Sequence, residues 1–342
     1  MPAPRAILLV KLSAIGDVLH GVPVAVALRR AFPTTRIGWV VEGRTGDLLE
    51  GHPAIDRVFR PARGWARRPA EWLRLRRDLA DFSADVTIDM QGLLKSALVT
   101  ALAASPIRIG PAGVDAREGS WLATTHRVAT RAGHVVERNL ALVSPLGIEP
   151  GLPRFDMPSW PKAREAMERF VRSLHAARAP VLLNPGAGWT SKLWPEDRLA
   201  ATARRLAARH GRPVVVVWGG PREEAAARRV AEASGAVTAP PTSLVELAEL
   251  CRLSALFVSS DTGPLHLAAA VGTPCVGLFG PVPAARNGPW GAGHATVEPP
   301  PAERPPWRDR KTDRRAMAAI AVDEVVAAAG AVLASGALRR AA

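Results

Sequence analysis

Short, mostly apolar runs recur along this chain, and most are followed by a stretch with helical spacing. That alternation restricts the fold more than any other feature. Runs of this kind lie at 6–10 (Ala-Ile-Leu-Leu-Val), 36–41, 85–89 and 107–110, and again at 180–184, 213–218, 255–259 and 274–279. A strand with no polar face has to be covered on both sides, which only a parallel sheet between helical layers provides. The intervening periodicity predicts helices near 17–31, 93–103 and 135–144, then near 196–209, 223–233, 243–250, 264–271 and 322–335. Between the two series, 149–161 carries Pro150, Pro153, Pro158 and Pro161, which suit neither helix interior nor central strand. The expectation is α/β: two Rossmann-like, doubly wound units opposed across a cleft. The first covers 1–160 and the second 161–315, with a last helical segment, 316–342, packing back towards the first.

With 342 residues, 48% of them apolar, the chain can fill two cores. No run reaches the roughly 20 apolar residues that span a bilayer, and the N-terminus lacks the apolar core of a signal peptide, so a cytoplasmic location is expected. Cys251 and Cys275 have neither disulfide-framework nor metal-ligand spacing. The net charge of +14 invites an anionic partner, although only five of the 45 basic residues are lysines and an arginine-rich background explains part of the excess. Three of those lysines, Lys11, Lys95 and Lys192, stand inside motifs.

Each motif follows an apolar run, and the carboxyl ends of strands are where open α/β sheets take their ligands. Residues 11–20 (Lys-Leu-Ser-Ala-Ile-Gly-Asp-Val-Leu-His) place Asp17 at a helix start, as a cap or as a functional carboxylate, with His20 one turn on. The glycines of a dinucleotide fingerprint are missing, which argues against a nicotinamide dehydrogenase. Residues 184–196 (Asn-Pro-Gly-Ala-Gly-Trp-Thr-Ser-Lys-Leu-Trp-Pro-Glu) form a small-residue loop carrying Lys192, either an ordinary turn or a diphosphate site. Residues 259–266 (Ser-Ser-Asp-Thr-Gly-Pro-Leu-His) offer Asp261 for sugar hydroxyls and Thr262 and Gly263 at a helix terminus. Residues 218–224 place Glu223 where a ribose is held, or where a helix dipole favours an acid. Seven arginines with Trp65 and Trp72 crowd 60–77, a solvated helix face or a surface for phosphates, membrane or single-stranded nucleic acid. No Asp-x-Asp pair or His/Cys cluster suggests a metal.

Together with residues 89–97 (Asp-Met-Gln-Gly-Leu-Leu-Lys-Ser-Ala), these motifs, in this order, resemble those of the lipopolysaccharide heptosyltransferases, glycosyltransferases of the GT-B type in family 9. The resemblance covers nearly the whole chain. It implies a donor, ADP-L-glycero-D-manno-heptose, bound by the C-terminal unit. It implies as acceptor a 3-deoxy-manno-octulosonic acid (Kdo) residue of Kdo-lipid A, bound by the N-terminal unit. Transfer is inverting and needs no metal or other cofactor. Asp17 takes the general-base position, and Lys192 offsets charge on the leaving diphosphate. Donor contacts fall on Ala187, Gly188, Thr190, Ser191, Lys192, Glu223, Thr242, Leu244, Asp261, Thr262, Gly263 and His266. Some members have threonines where Ala187 and Gly188 stand, so amides or Thr190 and Ser191 replace those hydroxyls. Acceptor contacts fall on Ser13, Gly16, His20, Arg63, Gln91, Lys95, Arg117 and Arg138. The enzyme is expected as a monomer at the cytoplasmic face of the inner membrane, without nucleic acid. The rival readings are transfer to a different acceptor or of a different sugar within the same family, and a nucleic-acid-binding protein.

Overall fold

The computed structural model describes residues 3–62 and 64–341, the last six of them as backbone only. The chain divides into two compact units, Met1–Pro158 and Ser159–Ala342, two residues before the expected boundary. The change of allegiance is visible in the hydrogen bonds. His52 Nε2 lies 2.8 Å from the Phe155 carbonyl in the first unit, whereas the Trp160 amide donates to Glu249 at 3.0 Å in the second.

The first unit holds strands β1 (Ala6–Val10), β2 (Arg36–Val40), β3 (Arg57–Phe59), β4 (Val86–Asp89), β5 (Ile107–Pro111) and β6 (His126–Val128). They form one parallel sheet in the order β3-β2-β1-β4-β5-β6. Every residue of β1 is fully buried, as an unbroken apolar run requires. The helix Ile15–Ala31 that follows is buried along 12 of its 17 residues. It therefore has no sharply polar face, and it carries Pro23 in its interior.

The second unit repeats the plan with β7 (Val181–Asn184), β8 (Val214–Val216), β9 (Val237–Thr238), β10 (Leu256–Ser260), β11 (Cys275–Leu278) and β12 (Ala295–Val297). The order is β12-β11-β10-β7-β8-β9, again all parallel. Counted from its own first strand, each sheet runs 3-2-1-4-5-6. This is the doubly wound arrangement, in which the strand order reverses between strands 1 and 4. That reversal falls at β1/β4 in one unit and at β7/β10 in the other.

The last helix is tied into the second unit. Val322–Ala341 spends its apolar face within the second unit: Val325, Val326, Ala329 and Val332 belong to the same core as Val181, Leu206 and Val276. Each buried valine there is worth about 1.5–3 kcal/mol. Its lead-in is pinned as well, since Trp194 Nε1 donates to the Ile320 carbonyl at 3.2 Å and Arg198 Nη1 to the same oxygen at 2.5 Å. The segment is part of the second unit's sheet packing. Among the described residues, no helix is long and apolar enough to cross a membrane.

Candidate functional site

In the second unit, β7 and β10 are neighbours with Asn184 paired to Ser259, so the loops leaving both strands emerge side by side at the switch point. Asn184 ties them together. Its Nδ2 donates to Ser259 Oγ at 3.0 Å and to Thr262 Oγ1 at 3.3 Å, and its Oδ1 accepts the Gly186 amide at 3.3 Å. Thr262 caps the helix Gly263–Ala270, accepting the Leu265 amide at 3.4 Å. Proline in that helix's first turn costs nothing, because the amide it lacks has no intrahelical partner there.

Lys192 spans the two loops. Its ammonium lies 2.5 Å from Asp261 Oδ2, while Asp261 Oδ1 is met by His266 Nε2 at 3.1 Å and Asn287 Nδ2 at 2.9 Å. Burial alone would raise the Asp261 pKa, but His266 and Lys192 outweigh it and hold the carboxyl well below the usual carboxylate range. Asp261 therefore stays ionised at any physiological pH. A carboxylate offers about four acceptor directions. With three donors in place, room remains for one further hydroxyl.

Glu223 stands in the first turn of the helix Pro221–Ser234, which follows β8. Its Oε2 accepts the Gly219 amide at 2.8 Å, and its carboxyl rests so close to Gly186 that a Cβ there would sit 2.2 Å away. Only glycine leaves Glu223 its place. Burial pushes this carboxyl's pKa up, against the opposing Gly219 hydrogen bond. Thr242 and Leu244, both half-buried, flank Ser243, which caps the helix Leu244–Arg252 by accepting the Glu246 amide at 3.3 Å. They follow β9, the strand beside β8, so this terminus neighbours the Glu223 loop.

Among the other expected donor contacts, Gly188 and Thr190 are exposed and Ala187 is half-buried. Ser191 is the remaining expected contact of this loop. It is buried, and its Oγ donates to the Arg310 carbonyl at 2.7 Å. Sequence reasoning missed Asn184 as the brace of the site and Asn287 as the third partner of Asp261. Asn287 ends the four-residue helix Ala284–Asn287 after β11, where no motif draws the eye.

The first unit's switch point is built differently. Val10 of β1 pairs with Asp89 of β4, and Gln91 Oε1 accepts the Leu12 amide at 2.7 Å, joining the two loops. Asp89 is fully buried and accepts from the Gln91 amide, the Gly92 amide and Ser96 Oγ at 2.8, 3.1 and 2.9 Å. Buried Lys11 reaches the Met90 carbonyl at 2.5 Å. Burial lowers the Lys11 pKa, opposed by Asp17 and Asp89. Asp17 itself is exposed, and its Oδ2 accepts the Ala14 amide at 3.2 Å. The capping role is realised and still leaves most of the carboxylate facing solvent. Ser13 is exposed and Gly16 buried. His20 is buried one turn on, edge-to-face with His134 at 5.8 Å.

Lys95 Nζ lies 2.5 Å from Glu42 Oε1, which also accepts Trp65 Nε1 at 2.6 Å. Arg117 is exposed. Arg138 is spent on structure, with Asp115 at 3.1 Å and the Ala132 carbonyl at 2.9 Å. Arg63 lies outside the described residues. In the 60–77 stretch, Arg60 pairs with Asp47 and Glu50, and Trp65 is fully buried under the helix Pro69–Phe82. An indole in the core cannot stack on a nucleobase, which removes half of the argument for single-stranded nucleic acid.

Two doubly wound units, each with its polar loops gathered at the switch point, are the architecture of the GT-B glycosyltransferases. The chain belongs to glycosyltransferase family 9, the heptosyltransferase family, whose model matches residues 72–312. It is 33% identical to lipopolysaccharide heptosyltransferase 1 of Pseudomonas aeruginosa over 300 residues, covering 83% of this chain and 81% of that one. It is 32% identical to the protein of that name from Salmonella typhimurium over 288 residues, covering 80% and 88%. Among solved structures, Escherichia coli heptosyltransferase WaaC with ADP matches with a TM-score of 0.79 at 27% identity, covering 96% of this chain and 99% of that one. Among the described residues, no three His, Cys, Asp or Glu side chains gather in a way that could hold a metal.

Proposed function

We propose that the protein transfers L-glycero-D-manno-heptose from its ADP-activated form to a Kdo residue of Kdo-lipid A, building the lipopolysaccharide inner core as a type I heptosyltransferase. The observation that carries this reading is the convergence of Lys192, Asp261, His266 and Thr262 at one switch point, with Glu223 at the start of the helix after β8. That set suits a nucleoside diphosphate sugar. Glu223 holds ribose hydroxyls, Thr242 and Leu244 flank the adenine, and Asp261 accepts from the heptose. Lys192, Thr262, Gly263 and His266, with the amides of 187–191, face the diphosphate. The relatives named for this activity, and a solved relative described with ADP-2-deoxy-2-fluoro heptose, support the choice of donor.

Asp17 acts as general base. It takes the proton from the acceptor hydroxyl as that oxygen attacks the anomeric carbon, and the bond to ADP breaks in the same displacement. One carboxylate suffices for inversion, whereas retention needs a nucleophile and a second step. Lys192 and the helix terminus at Gly263 stabilise the charge growing on the leaving diphosphate. No divalent metal takes part. Ser13, Gly16, His20, Arg63, Gln91, Lys95, Arg117 and Arg138 surround the acceptor, with Lys95 and Arg117 better placed than Arg138 to reach a carboxylate or phosphate. The enzyme works as a monomer, peripherally at the cytoplasmic face of the inner membrane.

The test is transfer by purified protein from ADP-heptose to Kdo-lipid A in EDTA, beside acceptors that already carry heptose and beside other nucleotide sugars. Product only with the Kdo-terminated acceptor supports the type I reading. Product only with a heptose-bearing acceptor or another sugar moves the protein elsewhere in the family, and loss of activity in EDTA refutes the metal-free step.

A further inference from the structure

Three cations from two separate segments gather on one indole in the second unit. Lys192 Nζ lies 4.4 Å from the centre of the Trp189 ring, Lys311 Nζ 5.4 Å and the Arg310 guanidinium carbon 5.9 Å. Arg310 is also stacked on Trp307 at 3.9 Å, with Arg286 at 5.9 Å from the same ring. Bringing like charges together is costly, and a cation–π contact returns only about 0.5–2 kcal/mol. Lys192 has Asp261 to offset it. Among the described residues, Arg310 and Lys311 have no carboxylate partner, and the Arg310 Nε–H is buried without an acceptor. The segment is nevertheless fixed in place: Ser191 Oγ donates to the Arg310 carbonyl at 2.7 Å, and Arg310 Nη1 donates to the Trp307 carbonyl at 2.5 Å. Nothing in the local packing explains why uncompensated cations are fastened to the very loop that carries Lys192. An anion bound between them does.

We propose that residues 307–311 form a second wall of the phosphate site, with Arg310 and Lys311 binding the diphosphate of the nucleotide donor alongside Lys192. This rests on the donor reading above and deepens it. In the ligand-free protein the Lys192 charge is satisfied by Asp261, so an incoming diphosphate meets a nearly neutral pair. Arg310 and Lys311 supply the missing positive charge, and Arg310 offers a planar fork suited to phosphate oxygens. The Ser191 tether links the segment to the loop, so a diphosphate that orders one orders the other.

The test is calorimetric titration of ADP and AMP into the wild type, Lys311→Ala and Arg310→Ala/Lys311→Ala, with sedimentation on vesicles of phosphatidylcholine and phosphatidylglycerol. Lys311 is exposed, so its removal leaves the packing intact. ADP affinity should fall about threefold in the single variant and about tenfold or more in the double. AMP, which lacks the second phosphate, should lose at most about twofold to threefold, and the salt dependence of ADP binding should flatten. Three results would overturn the proposal: ADP affinity unchanged in the double variant, AMP and ADP weakened equally, or a loss confined to the vesicles. If the wild type itself fails to bind ADP, the donor reading falls first and takes this wall with it.

Discussion

The two units share one strand order and differ in what they set at the point where that order reverses. After its first strand, the first unit presents an exposed acid, Asp17, whereas the second presents a cation, Lys192. After the fourth strand, the first unit turns Asp89 inward to hold its own loop. The second keeps Asp261 within reach of Lys192, His266 and Asn287. After the second strand, Glu42 is already engaged by Lys95 and Trp65, while Glu223 spends one oxygen on a single amide. The topology supplies the position, and in the proposed reaction a few side chains suit one position to a proton and the other to a diphosphate.

If that division of labour holds, substitutions in the two units should fail in different ways. The largest effect belongs to Asp17→Ala, which should lower turnover by about 10²-fold or more while ADP affinity stays within about twofold. Unchanged turnover would remove the first unit's acid from the mechanism. Lys192→Ala should cost about 10²-fold in turnover and weaken ADP as well, since it takes a charge from the leaving group and strips Asp261 of a partner. A loss in turnover with ADP affinity intact would set it apart from the donor. Gly186→Ala pushes a methyl into the Glu223 carboxyl. The donor KM should rise about tenfold with little change in kcat, and a wild-type KM would show that Glu223 does not touch the nucleotide.

The smallest effect is one of pH. The Glu223 pKa is raised by burial, so its carboxylate is lost, as pH falls, earlier than that of an ordinary glutamate. ADP binding should weaken on the acid side from that higher pH downwards, and Glu223→Gln should bind more weakly but without the acid limb. Because the folded value is raised, the ionised form costs stability at neutral pH and the cost is relieved on acidification, so Glu223→Gln should not lower the neutral Tm. Asp261 has the opposite sign: its contribution is present above the unfolded carboxyl pKa and lost only in strong acid. An identical acid limb in Glu223→Gln would assign the titration elsewhere.

The central strands and every motif loop were legible in the sequence, because short, mostly apolar runs bounded by loop residues recur in alternation with helical spacing. The edge strands were not. β3, β6, β9 and β12 are two or three residues long, and Arg57, His126 and Arg127 sit in them, so they carry no periodicity to read. The helix Pro161–Ser173 was hidden by its own first residue, since a proline that ends a linker also starts a helix. The destination of the last helix depended on which apolar surface was left uncovered, a tertiary fact with no local signature. At the site, Asp261 and Lys192 stood out by motif. Asn287 joins them through a short helix elsewhere in the chain, and the pairing of Arg138 with Asp115 is a contact that no motif announces.

The most direct test of the division between the units is a crystal structure with ADP-2-deoxy-2-fluoro heptose. One ligand molecule should touch Lys192, Glu223 and Asp261 together, with its anomeric carbon open to the Asp17 carboxylate. A ligand seated on the loops after β1 and β4, or one that leaves any of those three second-unit loops untouched, would contradict the account.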